Sequence, residues 1–188
     1  MRKPKAQTLL LTALALLLMV APGSSQGWPP PSGPYSSGPP GPAVLPFQAV
    51  EAWIFQFTNE IRQRHGFAPL GRDETLSALA RAYCEDMLRR RFFSHNTPEG
   101  AAPKDRVIPA YPGTIYRLGE NIWKGFNQNL DDPPRLARFI VDGWMASPGH
   151  RDNIFGPHFT HVGLGVAVMG RDIRAVQILV DLKGKNRP

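Results

Sequence analysis

The chain has 188 residues, with 22 Lys and Arg against 15 Asp and Glu for a formal charge of +7, and a single Cys. Arg2, Lys3 and Lys5 precede an apolar run from Leu9 to Val20 and then small residues, so residues 1–25 read as a secretory signal peptide whose removal lowers the charge to +4. The remaining excess lacks the clustered basic and aromatic pattern of a nucleic-acid face, and one cysteine in an exported domain excludes an intramolecular disulfide.

The apolar run of the leader is too short to span a bilayer comfortably, so no stable membrane span is expected after cleavage, which would follow Gly23 or Ser25. No cysteine lies near that point, which argues against a lipid anchor. Residues 26–46 are Pro, Gly and Ser with almost no charge, a composition that favours extended, solvated backbone and reads as a linker. Residues 47–188 have the length of one domain with its own core.

In that domain Val50, Ile54, Phe57 and Ile61 recur at helical spacing, predicting a first helix from Gln48 to Arg64, stopped by Gly66. Asp73 is the expected N-cap of a second, whose stripe is Leu76, Leu79, Ala80, Tyr83, Met87 and Leu88. Cys84 lies beside that stripe and reads as an inert, partly buried thiol. The run Arg89-Arg90-Arg91 complements the helix dipole, and the helix end is expected to deliver Phe92, Phe93 and His95 to the interior. Pro and Gly punctuate residues 96–130, which predicts loops with short helical or extended pieces, one turn of helix falling around Lys104 to Ile108. Pro133-Pro134 open a third helix with Leu136, Ile140 and Trp144 as its stripe. Ser147-Pro148 read as the cap and first position of a short helix that holds His150 in its first turn, where the dipole favours a neutral imidazole. Alternating Val162, Leu164, Val166 and Val168, then Val176, Ile178, Val180 and Leu182 around Gly170, predict an antiparallel hairpin. Gly163 and Gly165 leave one face bare for a close neighbour.

Helices first and a sheet last indicate an α+β layered domain. His95, Glu120 and His150 each sit among aromatic or aliphatic neighbours, where a lone polar side chain costs free energy unless it meets a partner, so the three are expected to converge on one cleft. Arg106, Asn121, Ser147, Arg151 and Asn153 are its secondary candidates. Two imidazoles and a carboxylate are a candidate ligand set for a divalent cation such as zinc, though the wide spacing gives no independent support; a hydrogen-bonded polar cluster is the competing account. Ser94 or Ser147 as nucleophile would need a neighbouring base. Ser94 adjoins His95 on the opposite side of an extended segment, and Ser147 is better explained as a cap. His161 reads as an ordinary surface histidine.

The motifs Thr58-Asn59-Glu60-Ile61-Arg62, His65-Gly66-Phe67-Ala68-Pro69-Leu70, Phe93-Ser94-His95, Gly119-Glu120-Asn121, Trp144-Met145-Ala146-Ser147-Pro148-Gly149-His150-Arg151-Asp152-Asn153-Ile154 and Thr160-His161-Val162-Gly163-Leu164-Gly165-Val166 together resemble the CAP superfamily, also called SCP-like, in its disulfide-free bacterial branch. The resemblance implies a three-layer α-β-α sandwich with a central antiparallel sheet and a cleft lined by two His and two acids. By motif His95 and His150 match the two family histidines and Glu120 the Glu of Gly-Glu-Asn. The second family acid has no counterpart in Trp144-Met145-Ala146-Ser147, and Asp142 would point elsewhere on the helix. The resemblance implies a secreted or periplasmic binding module for an unidentified small-molecule, lipid or cell-envelope ligand, with a divalent cation as a further candidate. The alternative is a metal-dependent hydrolase of lipid, peptide or cell-wall substrate; an enzyme is the less favoured of the two because no nucleophile motif is present.

Overall fold

The structure is a computed structural model and describes residues 46–182 apart from residue 113. The expected leader and the linker up to residue 45 lie outside the described residues. Ten elements follow in order: α1 (Pro46–Arg64), β1 (Gly71–Arg72), α2 (Glu74–Arg89), α3 (Pro103–Val107), a 3-10 turn (Ile108–Ala110), β2 (Ile115–Phe126), α4 (Pro133–Ala146), α5 (Pro148–Phe155), β3 (His161–Met169) and β4 (Asp172–Leu182).

Local chemistry sets several of these boundaries. Asp73 caps α2 by accepting a hydrogen bond from the Leu76 backbone N–H at 2.9 Å, and Asp132 caps α4 through the Arg135 N–H at 3.2 Å. Prolines at 133 and 148 start α4 and α5, where a missing N–H costs nothing. Ser147 ends one helix and begins the next without using its hydroxyl as a cap, so its backbone conformation rather than its side chain makes the join.

The sheet runs β1-β3-β4-β2. Its three long strands are antiparallel, and the two residues of β1 add a short parallel pair to the start of β3. Because side chains alternate across a strand, the register sorts the sheet into two faces. On one, Gly163, Ile178 and Glu120 form a row, followed by Gly165, Val176 and Ile122. Helix α2 lies on that face, burying Leu76, Ala80, Met87 and Leu88 against Val176, Ile178 and Val180, at roughly 1.5–3 kcal/mol for each large aliphatic side chain. A Cβ on Gly163 would come within 2.3 Å of the Leu76 backbone, and one on Gly165 within 2.3 Å of the Ala80 and Arg81 backbone. The two glycines therefore let helix and sheet approach as the sequence predicts. Cys84 is fully buried there, its thiol 3.3 Å from the Gly165 carbonyl and pushed well up by desolvation, which makes it inert.

On the other face, Leu164, Gln177 and Asn121 share a row, and α1, α4 and α5 cover it. The result is a helix-sheet-helix sandwich. The free edge of β3 beyond β1 is closed by side chains: Ser77 Oγ accepts from the Leu164 N–H, and the fully buried Glu51 Oε1 accepts from the Val166 N–H at 3.0 Å while its carboxylate pairs with Arg81.

Residues 115–126 differ from the loop expected there. They form the longest strand of the sheet, with Glu120 near its centre. The buried stretch Gly119 to Ile122 is covered on both sides, which removes the alternation a half-exposed strand would show.

Candidate functional site

The segment Gly119-Glu120-Asn121 builds the site by facing α5 at its two ends and α2 at its middle residue. Gly119 leaves room for α5: a Cβ there would lie 2.7 Å from Asn153 Oδ1 and 3.0 Å from the Phe159 ring. Glu120 points to the α2 side and Asn121 to the α5 side.

On the α2 side Glu120 is buried, its side chain 2% exposed, and both carboxylate oxygens are engaged. Oε1 is 2.9 Å from His95 Nδ1, and Oε2 accepts from Arg106 Nη2 at 2.9 Å. A buried carboxylate needs such compensation, and here one guanidinium of α3 supplies the charge. The same Arg106 nitrogen donates to the His95 carbonyl at 2.9 Å, and its guanidinium carbon lies 3.3 Å from the centre of the Tyr83 ring. Tyr83 in turn donates to the Ser94 carbonyl at 2.8 Å; burial pushes its hydroxyl up to about 12, so it stays a donor. Two side chains thus pin the backbone of Ser94 and His95.

His95 is held in place but not buried. Its side chain is 46% exposed and Phe93 is 37% exposed, whereas the helix end was expected to carry both inward. The chain leaves α2 through Arg91 in the left-handed region, at φ 57°, and residues 93–96 beyond it are exposed. A carboxylate only accepts, so Nδ1 of His95 carries the proton shared with Glu120, and Nε2 is the ring nitrogen outside that bond.

On the α5 side Asn121 is fully buried in a neutral network. Its Nδ2 donates to the His150 carbonyl at 3.1 Å and to Gln177 Oε1 at 2.9 Å, and its Oδ1 accepts from Asn153 Nδ2 at 2.8 Å. Gln177 Nε2 passes the chain on to Thr58 Oγ1 at 3.0 Å. Asn153 also donates to the Glu120 carbonyl at 3.3 Å, and Trp144 Nε1 to that of Ile122 at 3.1 Å, so α5 and α4 both bond the outer edge of β2. This network fixes the first turn of α5, which carries His150.

The two imidazoles meet around the edge of β2, ring centres 6.0 Å apart and inclined at 55°. Burial, and then the nearby His95, lower the pKa of His150, so it stays neutral to lower pH than a free histidine. The structure therefore brings His95, Glu120, His150, Arg106, Asn121 and Asn153 together. Arg151 is half-buried in the first turn of α5 and makes none of the hydrogen bonds to Glu120. Ser94 Oγ accepts from the Asn96 N–H, and Ser147 makes no cap bond, so neither serine is paired with an imidazole. Asp142 faces a different cleft, beside Asn127 and Phe139. His161 Nδ1 lies 2.9 Å from Thr160 Oγ1.

The donor set does not fit a three-ligand metal centre. Both oxygens of Glu120 are committed, one to a guanidinium that would repel a second cation, and among the described residues no three His, Cys, Asp or Glu side chains are grouped to hold an ion. Tyr83, Gln177 and Thr58 are additions to the site. Tyr83 reads as a core position in the sequence, but Gln177 leaves a signal, a lone amide within the otherwise apolar run from Ala175 to Val180.

Comparison with known proteins fits this architecture. The sequence pattern of the CAP, or cysteine-rich secretory protein, family matches residues 55–179. The uncharacterized protein YkwD of Bacillus subtilis is 38% identical over 122 residues, covering 65% of this chain and 44% of its own length. The crystal structure of an extracellular SCP-domain protein from Bacillus anthracis is 30% identical with a TM-score of 0.58, over 77% of this chain and 45% of that one. An outer surface protein from Borrelia burgdorferi, 18% identical, shares the fold at a TM-score of 0.62 over 74% of this chain and 97% of its own. The chain thus spans less than half the length of the two Bacillus relatives. No helix among the described residues is long and apolar enough to cross a membrane. From the pattern match over two thirds of its length and the sandwich that carries it, the chain belongs to the cysteine-rich secretory protein (CAP) family.

Proposed function

We propose that this chain is an exported CAP domain that acts outside the cytoplasm as a binding module, with residues 1–25 as its leader, residues 26–46 as a spacer and the cleft at the outer edge of β2 as its ligand site. The observation that carries the reading is the state of Glu120: with both oxygens engaged by His95 and Arg106, it serves to hold His95 rather than to meet a ligand. What faces the cleft is then His95 Nε2 and His150, whose burial favours the neutral ring, a pair that suits a ligand bearing hydroxyl groups, which both donate and accept, as small cell-envelope molecules and lipid headgroups do. The likeness to an extracellular protein of Bacillus anthracis and an outer surface protein of Borrelia burgdorferi supports export to the periplasm or beyond. The alternative, a metal-dependent hydrolase, draws no support from the described residues, among which no three His, Cys, Asp or Glu side chains are grouped to hold an ion.

The test is mass spectrometry of small molecules that co-purify with the full chain from its native host, with metal content measured on the same samples. The wild type is expected to carry a molecule that His95→Ala and His150→Ala both lose while their folds, checked by circular dichroism, persist. An identical set of bound molecules in all three proteins would remove the cleft from the account.

A further inference from the structure

A second cleft lies between α4 and the loop that joins it to β2, with a volume of about 480 Å³, and it shares no lining residue with the histidine cluster. This volume is within the range of small-ligand sites. Three side chains of its wall follow one another along α4 at positions i, i+4 and i+7: Arg135, Phe139 and Asp142. That spacing puts them on one side of the helix, with the first and last about 10 Å apart along its axis.

The charges at the two ends are unspent. The Arg135 guanidinium is exposed and makes no ion pair or hydrogen bond among the described residues. Asp142 is half-buried and accepts no hydrogen bond there; desolvation raises its carboxyl, and only the field of Arg138 opposes the rise. Arg138 also lines the cleft, but all three of its guanidinium nitrogens are shut off from solvent and its guanidinium lies over the Phe57 ring at 3.8 Å, so it screens Asp142 from within the wall. Between the two charges Phe139 is 58% exposed, braced edge-on by Trp123 at 6.0 Å between ring centres. The facing loop contributes the amides of Asn127 and Asn129; the latter is oriented by accepting from the Asp131 N–H at 2.9 Å, which leaves its NH2 group free to donate. The cleft therefore offers the guanidinium of Arg135 beside the capping Asp132, then an apolar floor with amides opposite, and then the carboxylate of Asp142.

We propose that this cleft is a binding site for a short extended zwitterion, a peptide of about three residues with free ends, its carboxylate against Arg135 and its ammonium against Asp142. An extended tripeptide spans about 10 Å, comparable with the rise along α4 between the two residues that carry the charges. Its small side chains rest on Phe139 and its amides meet those of the loop. The ammonium supplies the hydrogen bonds that Asp142 lacks.

The test is titration of the 15N-labelled full chain with L-trialanine, read by amide chemical shifts, beside the same peptide N-acetylated and C-amidated. Saturable shifts are expected in residues 127–142, with affinity falling about tenfold or more on blocking either end, as for loss of a charged hydrogen bond. Arg135→Gln and Asp142→Asn should each cause a similar loss, while His95→Ala binds as the wild type, which separates this site from the histidine cleft. Shifts that do not saturate, equal binding of the doubly blocked peptide, or undiminished binding by both folded variants would each overturn the proposal.

Discussion

Glu120 and Asn121 are neighbours in one strand, yet the polar networks they anchor end in opposite ways. From Glu120 the bonds run outward, directly and through Arg106, to a histidine 46% open to solvent. From Asn121 they run inward through Gln177 to Thr58 and across to Asn153, every member neutral and no partner outside the protein needed. A network closed on itself rigidifies the fold, whereas one that ends on a half-exposed imidazole has a valence left for a ligand. The lesson is that a polar residue beside a candidate site residue need not belong to the site: the alternation of side chains along the strand sends the two to opposite faces.

The comparison can be broken most severely where it is scaffolded. Gly165→Val would drive a branched side chain into the backbone of α2 and is expected to cost more than about 3 kcal/mol, leaving little folded protein by circular dichroism. Asn121→Leu strands Gln177, Asn153 and the His150 carbonyl; unpaired buried groups of that kind cost about 1–3 kcal/mol each, and urea unfolding should show a loss of about 3 kcal/mol. Arg106→Leu leaves the Glu120 carboxylate buried without its cation and should cost about 2–3 kcal/mol, less than a wholly enclosed pair because the arginine is 15% exposed. The double variant Arg106→Leu with Glu120→Gln is expected to recover part of that loss; no recovery would mean that the pair is not coupled as described. His95→Ala should change unfolding by under about 1 kcal/mol, since its side chain is nearly half exposed, while removing the ligand contact. A stability loss as large as that of Asn121→Leu would erase the distinction between the two networks.

The smallest effect is in pH. Because burial lowers the pKa of His150, the folded protein takes up its proton less readily than the unfolded chain, whose imidazole titrates near 6.5. Stability tied to this group is therefore complete above that value and declines as pH falls through it towards the lowered folded value. His158 is shifted the same way, again chiefly by burial. Melting temperature should fall between pH 7 and pH 5, and His150→Gln should flatten part of that slope; an unchanged slope would assign it to other groups.

Much of this architecture is visible in the residues because it depends on local or periodic chemistry. The Asp73 cap, the Pro148 helix start, the final hairpin and the bare glycines of β3 all follow from one-residue rules and are found as expected. Strand β2 is not visible, because Gly119 and Gly125 interrupt it and its centre is covered on both faces. The motifs single out His95, Glu120 and His150. The sequence carries no sign that Glu120 is spoken for, since its partner Arg106 comes from a helix of five residues in a stretch full of turns.

Glu51 has a consequence of another kind. By bonding the Val166 N–H it occupies a site on the rim of β3 where a strand from a second molecule could otherwise attach. The side chain that tethers α1 to the sheet therefore also blunts a template for fibril growth. Resistance to edge-to-edge association then hangs partly on a residue that lies outside the histidine cluster.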